Sequence, residues 1–587
     1  MDRAALIREV DAWSAGDPDQ ATRAELQALV AANDLAELED RFAGTLEFGT
    51  AGLRALVGAG PNRMNRAVVR RATAGLAAYL HATVPDVARR GVVVARDGRR
   101  MSAEFAADTA AVLAAAGVPA LVREGFTPTP LCAFLVERLG ASAGVMVTAS
   151  HNPPRYNGYK VYWGNGAQII PPHDAGIAQA IARVGPARDV PLAEPGEARE
   201  RGLLRALGPE LDQAYLEGIL GLRLHPGLGT DLTIVYTPMH GVGGPLALEA
   251  LRRAGFSRVH PVPEQLEPDP EFPTVRFPNP EEPGAMDLSR ALAERTGADL
   301  VLANDPDADR LAVLARARSG ELRALTGNEV GVILGHYLLT QGPRRQRPLV
   351  MSTIVSSPQL GAMASRLGAL YDETLTGFKW IANRALERSA KDGAEFVFGY
   401  EEALGYTVGT LVRDKDGIGA GTMMADLAGW ARSRGTTVLG YLEEIQREFG
   451  VYLSRQRSFT LPGASGAEII GQIMDRFRRD PPVRVGARAV ETVKDYQSRI
   501  RTSHGHAEPL SLPASNVLAY VLEGGAQVTL RPSGTEPKIK YYFELPERLS
   551  PGEAVEAAQA RGEQGLAQLE RDFLELAAAR GQSQGSR

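Results

Sequence analysis

Short apolar runs rich in β-branched residues recur along this chain. Most are followed by a turn and then a stretch of helical pattern. VVVARD (92–97) precedes MSAEFAADTAAVLAAAG, LTIVYTPMHGVGG (232–244) precedes PLALEALRRAG, and PLVMSTIVSS (348–357) precedes PQLGAMASRLGA. LVLANDPDADR (300–310) follows another helical pattern, DLSRALAERTGA. Strands alternating with helices predict βαβ units and mainly parallel sheets. Their repetition predicts three tandem α/β domains with mixed, mainly parallel sheets. The end of the chain departs from that rhythm. VRVGARAVETVKDYQSRI and NVLAYVLEGGAQVTLRPSGTEPKIKYYFEL, followed by one long helical segment, predict a C-terminal α+β domain. Joints are expected near residues 210, 325 and 452, which gives domains 1–210, 211–325, 326–452 and 453–587. The Pro- and Glu-rich stretch 264–284 reads as an ordered surface loop inside the second domain, with a linker as the alternative.

A chain of 587 residues suits about four domains, being too long for one core. Hydrophobic residues make up 44% and charged residues 23%, ordinary values for a soluble globular protein. A net charge of −5 is small for this size, so nothing global points to nucleic acid or an anionic membrane. Any anionic ligand must be held by local Arg and Lys clusters. The single cysteine, Cys132, excludes an intramolecular disulfide and fits a reducing compartment, and its apolar neighbours suggest a core thiol. The first residues, MDRAALIREVDAWSAGD, read as a charged amphipathic helix and not a signal peptide. No run is long enough to span a membrane. A cytoplasmic location and a monomer are the default expectations, with GQSQGSR as a disordered tail.

Chemistry concentrates in a few segments. In TASHNPPRYNGYK (148–160) the apolar run VMVT stops at Ser150, His151, Asn152 and two prolines. Those residues cannot extend a strand, so Ser150 is expected on a sharp turn at a strand end. DPDADR sets Asp305, Asp307 and Asp309 at alternating positions. Read as an extended segment with a modest curve, they would meet one hard cation such as Mg²⁺. The loop lacks the Gly and Glu of an EF-hand, having Arg310 and Arg316 there. RPSGTEPKIK (531–540) gathers Arg531, Ser533, Gly534 and Thr535 as phosphate donors. FGTAGLR (48–54) supplies Arg54, TLTGFKW supplies Gly377 and Lys379, and GYEEALGY supplies Glu401 and Glu402 for sugar hydroxyls. No P-loop or dinucleotide fingerprint is present.

In this order, these segments resemble those of the α-D-phosphohexomutase superfamily, the phosphoglucomutases and phosphomannomutases. YTPMHGVGG and FPTVRFPNPEEP also look like family segments, so the likeness runs from about residue 40 to 580. The wording is most similar to the bacterial phosphoglucomutase branch that includes animal phosphopentomutases. The resemblance implies four domains around a central cleft, with Ser150 as a phosphoserine. Asp305, Asp307 and Asp309 would hold Mg²⁺ together with an oxygen of phosphorylated Ser150. Glu401 and Glu402 would bind sugar hydroxyls, and Gly377 and Lys379 would position the ring. Arg531, Ser533, Gly534 and Thr535 would grip the phosphate that is not reacting. Arg54, His151 and Lys160 lie where family members surround the transferring group, Lys160 being the first choice for acid/base work, and Arg310 would face the phosphoserine. The implied activity is a phosphoglucomutase working through glucose 1,6-bisphosphate, with small sugar phosphates as partners. Phosphomannomutase, phosphopentomutase and a non-catalytic sensor are the alternatives. Ala403 and Ala51 stand where many relatives carry serine, which leaves the sugar preference open.

Overall fold

The computed structural model describes residues 2–46, 52–461, 464–533 and 538–582. They fall into two compact units. One comprises Met1–Gly327, Phe378–Asp392 and Phe396–Val438; the other comprises Asn328–Gly377, Gly393–Glu395 and Leu439–Arg587.

The first unit contains two sheets of mixed direction. One runs in the order Leu53–Leu56, Tyr156–Trp163, Ala143–Val147, Val92–Arg96, Ala120–Arg123, Leu204–Leu207. Its last four strands are parallel and its first two antiparallel to their neighbours. VVVAR forms a central strand because branched side chains restrict χ1 and pack well on a pleated surface. Val92, Val94, Val145, Val147 and Tyr159 close on Leu76 and Phe105 of the covering helices. The second sheet runs Leu322–Ala324, Ala312–Arg316, Leu300–Ala303, Thr233–Thr237, Arg258–Pro261. Its strand Leu300–Ala303 is buried throughout. An antiparallel pair, Glu395–Glu401 with Gly405–Val408, leads to helix Gly417–Ser433. Asp416 caps that helix by accepting from the amides of Ile418 and Gly419, which satisfies two amides left bare in the first turn.

The N-terminal amphipathic stretch forms helix Arg3–Gly16, which packs Leu6 and Val10 against Leu26, Leu38 and Phe42. Cys132 is buried, and burial pushes its thiol up to about 12, as expected for a core residue. The 264–284 stretch has almost no regular structure, yet it is pinned. Gln265 accepts from Thr237 Oγ1 at 2.6 Å and donates to Thr274 Oγ1 at 2.9 Å, and Phe272 is buried. Among the described residues no helix is long and apolar enough to cross a membrane.

In the second unit, Pro348–Thr353 and Leu370–Thr374 pair in parallel. Its C-terminal part is an antiparallel sheet, from Val451–Thr460 through Lys538–Glu547, Gln527–Pro532 and Leu518–Leu522 to Arg488–Asp495. Met474 and Phe477 of helix Ala464–Arg479 and Leu569 and Phe573 of helix Val555–Gln582 pack on Tyr520 and Phe543. The change from α/β to α+β is therefore where the chain pattern changes. The last helix runs through Gly581 and Gln582, where a tail was expected; residues 583–587 lie outside the described set.

His336, also in this unit, is held between Tyr441 and Phe449, with Nδ1 2.6 Å from the Tyr441 hydroxyl. Burial lowers its pKa from 6.5 to about 4. Above pH 6.5 both folded and unfolded chains carry it neutral. Between 6.5 and about 4 only the unfolded chain takes the proton, so stability must fall as pH drops through that window. The expected loss is on the order of 2–3 kcal/mol. Urea unfolding across that range checks this, and His336→Gln should flatten the response.

Candidate active site

The buried strand Ala143–Val147 ends two residues before a turn whose tip is Ser150, at φ +52°. A β-carbon makes that left-handed conformation costly, so the surroundings must hold it. The Ser150 amide donates to Thr148 Oγ1 at 2.9 Å. The Arg99 guanidinium, buried behind the turn, donates to the carbonyls of Ser150, Asn152, Pro153 and Tyr156 at 2.5–3.2 Å. Gly158 of the following strand is required for close approach, since a β-carbon there would lie 2.6 Å from the Thr148 carbonyl.

The acidic loop leaves the buried strand Leu300–Ala303. Its carboxylates converge through a turn with Ala308 at φ +57°, where an extended segment was expected. Alternation alone would have splayed the groups along the strand; the left-handed residue folds them together. Asn304 fixes the turn, its side-chain Nδ2 donating to the Arg310 carbonyl at 2.6 Å. The carboxylate oxygens of Asp305, Asp307 and Asp309 then lie within 4.8 Å of one another, and all three residues are buried.

The two turns meet. Ser150 Oγ donates to Asp305 Oδ2 at 2.9 Å and sits 3.1 Å from His151 Nδ1. Lys160, on strand Tyr156–Trp163, donates to Asp307 Oδ2 at 2.8 Å and Asp309 Oδ2 at 3.0 Å. Lys415 adds an ion pair to Asp309 Oδ2 at 3.2 Å. Thr129 donates to Asp307 Oδ2 at 2.7 Å. The Arg310 amide donates to Asp305 Oδ1 at 3.0 Å. Arg54 on the edge strand reaches Asn152 Oδ1 at 3.1 Å.

Charge in this dry space is strongly partitioned. Burial, then Asp307 and Asp309, push the Asp305 carboxyl well above its usual range. Burial works the same way on Asp309, but Lys160, Lys415 and Arg310 outweigh it and hold that group ionised. Burial opposes the Lys160 charge too; Asp307 and Asp309 prevail and raise its pKa. His151 is held neutral by burial first and by Arg310 and Arg54 second.

Two buried oxygens, Asp307 Oδ1 and Asp309 Oδ1, have no hydrogen-bond partner. A buried carboxylate oxygen without a donor is costly, and two such oxygens beside a third convergent carboxylate form a hard-ligand set. These residues therefore fit Mg²⁺.

The segment just after Glu401 and Glu402 borders this loop. Leu311 N donates to the Leu404 carbonyl at 3.0 Å, and Arg310 bridges to Gly405. Lys379 is the second residue of helix Phe378–Asp392, and burial lowers its pKa. Gly377, at φ +115°, belongs to the second unit, as do Arg531 and Ser533. There Arg531 pairs with Lys540, and Ser533 N donates to the Lys538 carbonyl at 2.7 Å. Gly534 and Thr535 lie outside the described residues, as do residues 48–51 of FGTAGLR.

Sequence reading missed Lys415, Arg99 and Thr129. Only weak signals mark them: RDKDG before a helix, ARDGR after a strand, and TPTP at a helix start.

Three family models match the chain in order. They are the alpha/beta/alpha domains I, II and III of phosphoglucomutase/phosphomannomutase, over residues 45–187, 213–319 and 326–447. The protein named "Probable phosphoribomutase" from Schizosaccharomyces pombe is 40% identical over 550 residues, which are 91% of this chain and 92% of that one. The chain belongs to the phosphoglucomutase/phosphomannomutase family, within the α-D-phosphohexomutase superfamily. Human phosphopentomutase, a relative in that family, is 37% identical over 573 residues, 92% of each chain. Among solved structures, the open form of pp63/parafusin from Paramecium superposes with a TM-score of 0.64 at 18% identity. That match covers 93% of this chain and 97% of the other, a likeness of fold. The fold is thus the family's three tandem α/β domains followed by a C-terminal sheet domain, and the family consists of mutases.

Proposed function

We propose that this protein is a Mg²⁺-dependent phosphoglucomutase that interconverts glucose 1-phosphate and glucose 6-phosphate. The observation that carries the reading is the Ser150 hydroxyl, turned out of a strand end and hydrogen-bonded to the first of three convergent aspartates. A serine in that position suits a phosphoryl carrier, since a sensor would need no nucleophile.

In the forward half-reaction the free hydroxyl of the sugar phosphate attacks the phosphorus on phosphorylated Ser150. A bond forms from the sugar oxygen to phosphorus, the Ser150 Oγ–P bond breaks, and the proton of the sugar hydroxyl passes to the freed Ser150 Oγ. The product is glucose 1,6-bisphosphate. The bisphosphate turns round, and Ser150 Oγ takes back the other phosphoryl group. Lys160, held charged by its two aspartates, is the proposed proton donor to the sugar oxygen released in that second step, and the proton leaving Ser150 Oγ restores its charge. Arg54 and Arg310 offset charge on the moving group, and neutral His151 is a hydrogen-bonding partner of Ser150 Oγ. Asp305, Asp307 and Asp309 would hold Mg²⁺, which neutralises the negative charge that phosphoserine and substrate bring together. Glu401 and Glu402 are assigned to sugar hydroxyls, with Gly377 and Lys379 positioning the ring. Arg531, Ser533, Gly534 and Thr535 are assigned to the distal phosphate. The reading includes a monomeric, cytoplasmic protein.

Phosphopentomutase is the second reading, favoured by the names of the two relatives above. Turnover with Mg²⁺ and a bisphosphate activator should be compared on glucose, mannose and ribose 1-phosphates. A clear glucose preference is expected. Preference for ribose or mannose would keep the mechanism and overturn the substrate. Binding without turnover on any of them would favour a sensor.

A further inference from the structure

Among the loop's neighbours, Thr129 makes a contact that phosphoryl transfer itself does not require. It opens helix Thr129–Arg138 and is fully buried. Its neighbours Pro128 and Pro130 fix their own φ angles and stiffen the approach. Its amide donates to the Asp307 carbonyl at 2.9 Å, and its hydroxyl donates to Asp307 Oδ2 at 2.7 Å. The residue therefore grips both the backbone and the side chain of one aspartate, from 178 positions away in the chain.

The choice of oxygen gives the contact its meaning. Lys160 also donates to Asp307 Oδ2, so both donors load one oxygen and leave Oδ1 buried with none. Asp309 repeats the arrangement, with Lys160 and Lys415 on Oδ2 and an Oδ1 that has no hydrogen-bond donor, Arg310 Nε standing 3.9 Å away. An Asp307 side chain rotated about its last bond would present the loaded oxygen instead. Lys160 alone could hold the orientation only while it stays in place. Thr129 holds it without adding charge, so it does not compete electrostatically with a cation, and it keeps Oδ2 satisfied if Lys160 turns toward substrate. Groups behind a metal ligand commonly set its direction in this way.

We infer that Thr129 is a positioning residue that points Asp307 Oδ1 at a bound divalent cation. This rests on the metal-dependent reading above. Replacing Thr129 by valine keeps shape and the backbone bond and removes only the hydroxyl donor.

The test is titration of the full chain with Mn²⁺, followed by electron paramagnetic resonance, alongside the unfolding midpoint in EDTA. Thr129→Val should weaken the dissociation constant about 10- to 100-fold and leave the EDTA midpoint close to wild type. Thr129→Ser, which restores the donor, should return affinity to near the wild-type value. If the valine variant does not fold, Thr129→Ala carries the same expectation. Equal affinity in wild type and variant would overturn the inference while leaving the metal reading intact. So would a lowered EDTA midpoint with unchanged affinity, which marks a packing role. If the wild type takes up no Mn²⁺, the metal reading fails and this inference falls with it.

Discussion

Replacing Ser150 with alanine is expected to abolish mutase turnover, lowering it by roughly 10⁴-fold or more, as loss of a covalent nucleophile does elsewhere. The substitution is also expected to remove the phosphoryl adduct from the intact mass of the purified protein. Ser150 Oγ is the hydroxyl of this turn that meets the acidic loop, since the Thr148 hydroxyl is turned to the Ser150 amide. His151 beside it is held neutral, and its partner is the hydroxyl itself. The variant should fold. Alanine and serine both carry a β-carbon, so the φ of +52° costs the two about equally, and the Arg99 clamp acts on backbone carbonyls that remain. What is lost are the hydrogen bonds to Asp305 and His151, worth roughly 1 kcal/mol each. Turnover within tenfold of wild type would sink the phosphoserine mechanism. An adduct that persists would place the phosphoryl group on another residue.

How much of this site could be read from the chain follows from where its signals lie. Ser150 and the three aspartates stand at the ends of apolar runs, and a strand that stops abruptly is a local pattern. Which face the aspartates share was not local. The turn depends on Ala308 adopting a left-handed conformation that alanine seldom takes, and neighbouring letters do not announce it. Lys415, Arg99 and Thr129 are single residues brought in from other strands and helices. Arg99 serves four carbonyls of a loop some fifty residues later, and Lys415 meets Asp309 only after a pair of strands and a helix cap are in place. The strand order of the first sheet, with Tyr156–Trp163 between Leu53–Leu56 and Ala143–Val147, is what carries Lys160 to the acidic loop. Sugar preference is harder still. Glucose and mannose differ in one hydroxyl orientation, so a single hydroxyl contact such as those missing at Ala403 and Ala51 can tip it.

Lys160→Met is expected to make the protein's stability depend on Mg²⁺. In the wild type, the buried ammonium lies 2.8 and 3.0 Å from two buried carboxylates. Methionine fills similar volume and carries no charge, so Asp307 and Asp309 would face each other with one cation fewer. Breaking a buried pair from one side costs about 3–5 kcal/mol, because the partner charge stays behind unpaired. In EDTA the variant should therefore unfold at a clearly lower urea concentration than wild type. A bound divalent cation would replace the missing charge, so saturating Mg²⁺ should recover most of the difference and shift the variant more than the wild type. The pH dependence has a definite sign. In the wild type, Asp309 is held below its ordinary 3.8, so its contribution is present above that value and is lost as pH falls through the folded pKa. Without Lys160, one of the charges that oppose burial is gone from Asp307 and Asp309, so their carboxyl pKa values move up. Protonation then relieves the variant as pH is lowered, and the gap between the two proteins in EDTA should narrow toward pH 4. A gap that Mg²⁺ leaves untouched would mean that the ammonium and the cation do not answer the same charge, and the acidic trio would lose its reading as the metal site.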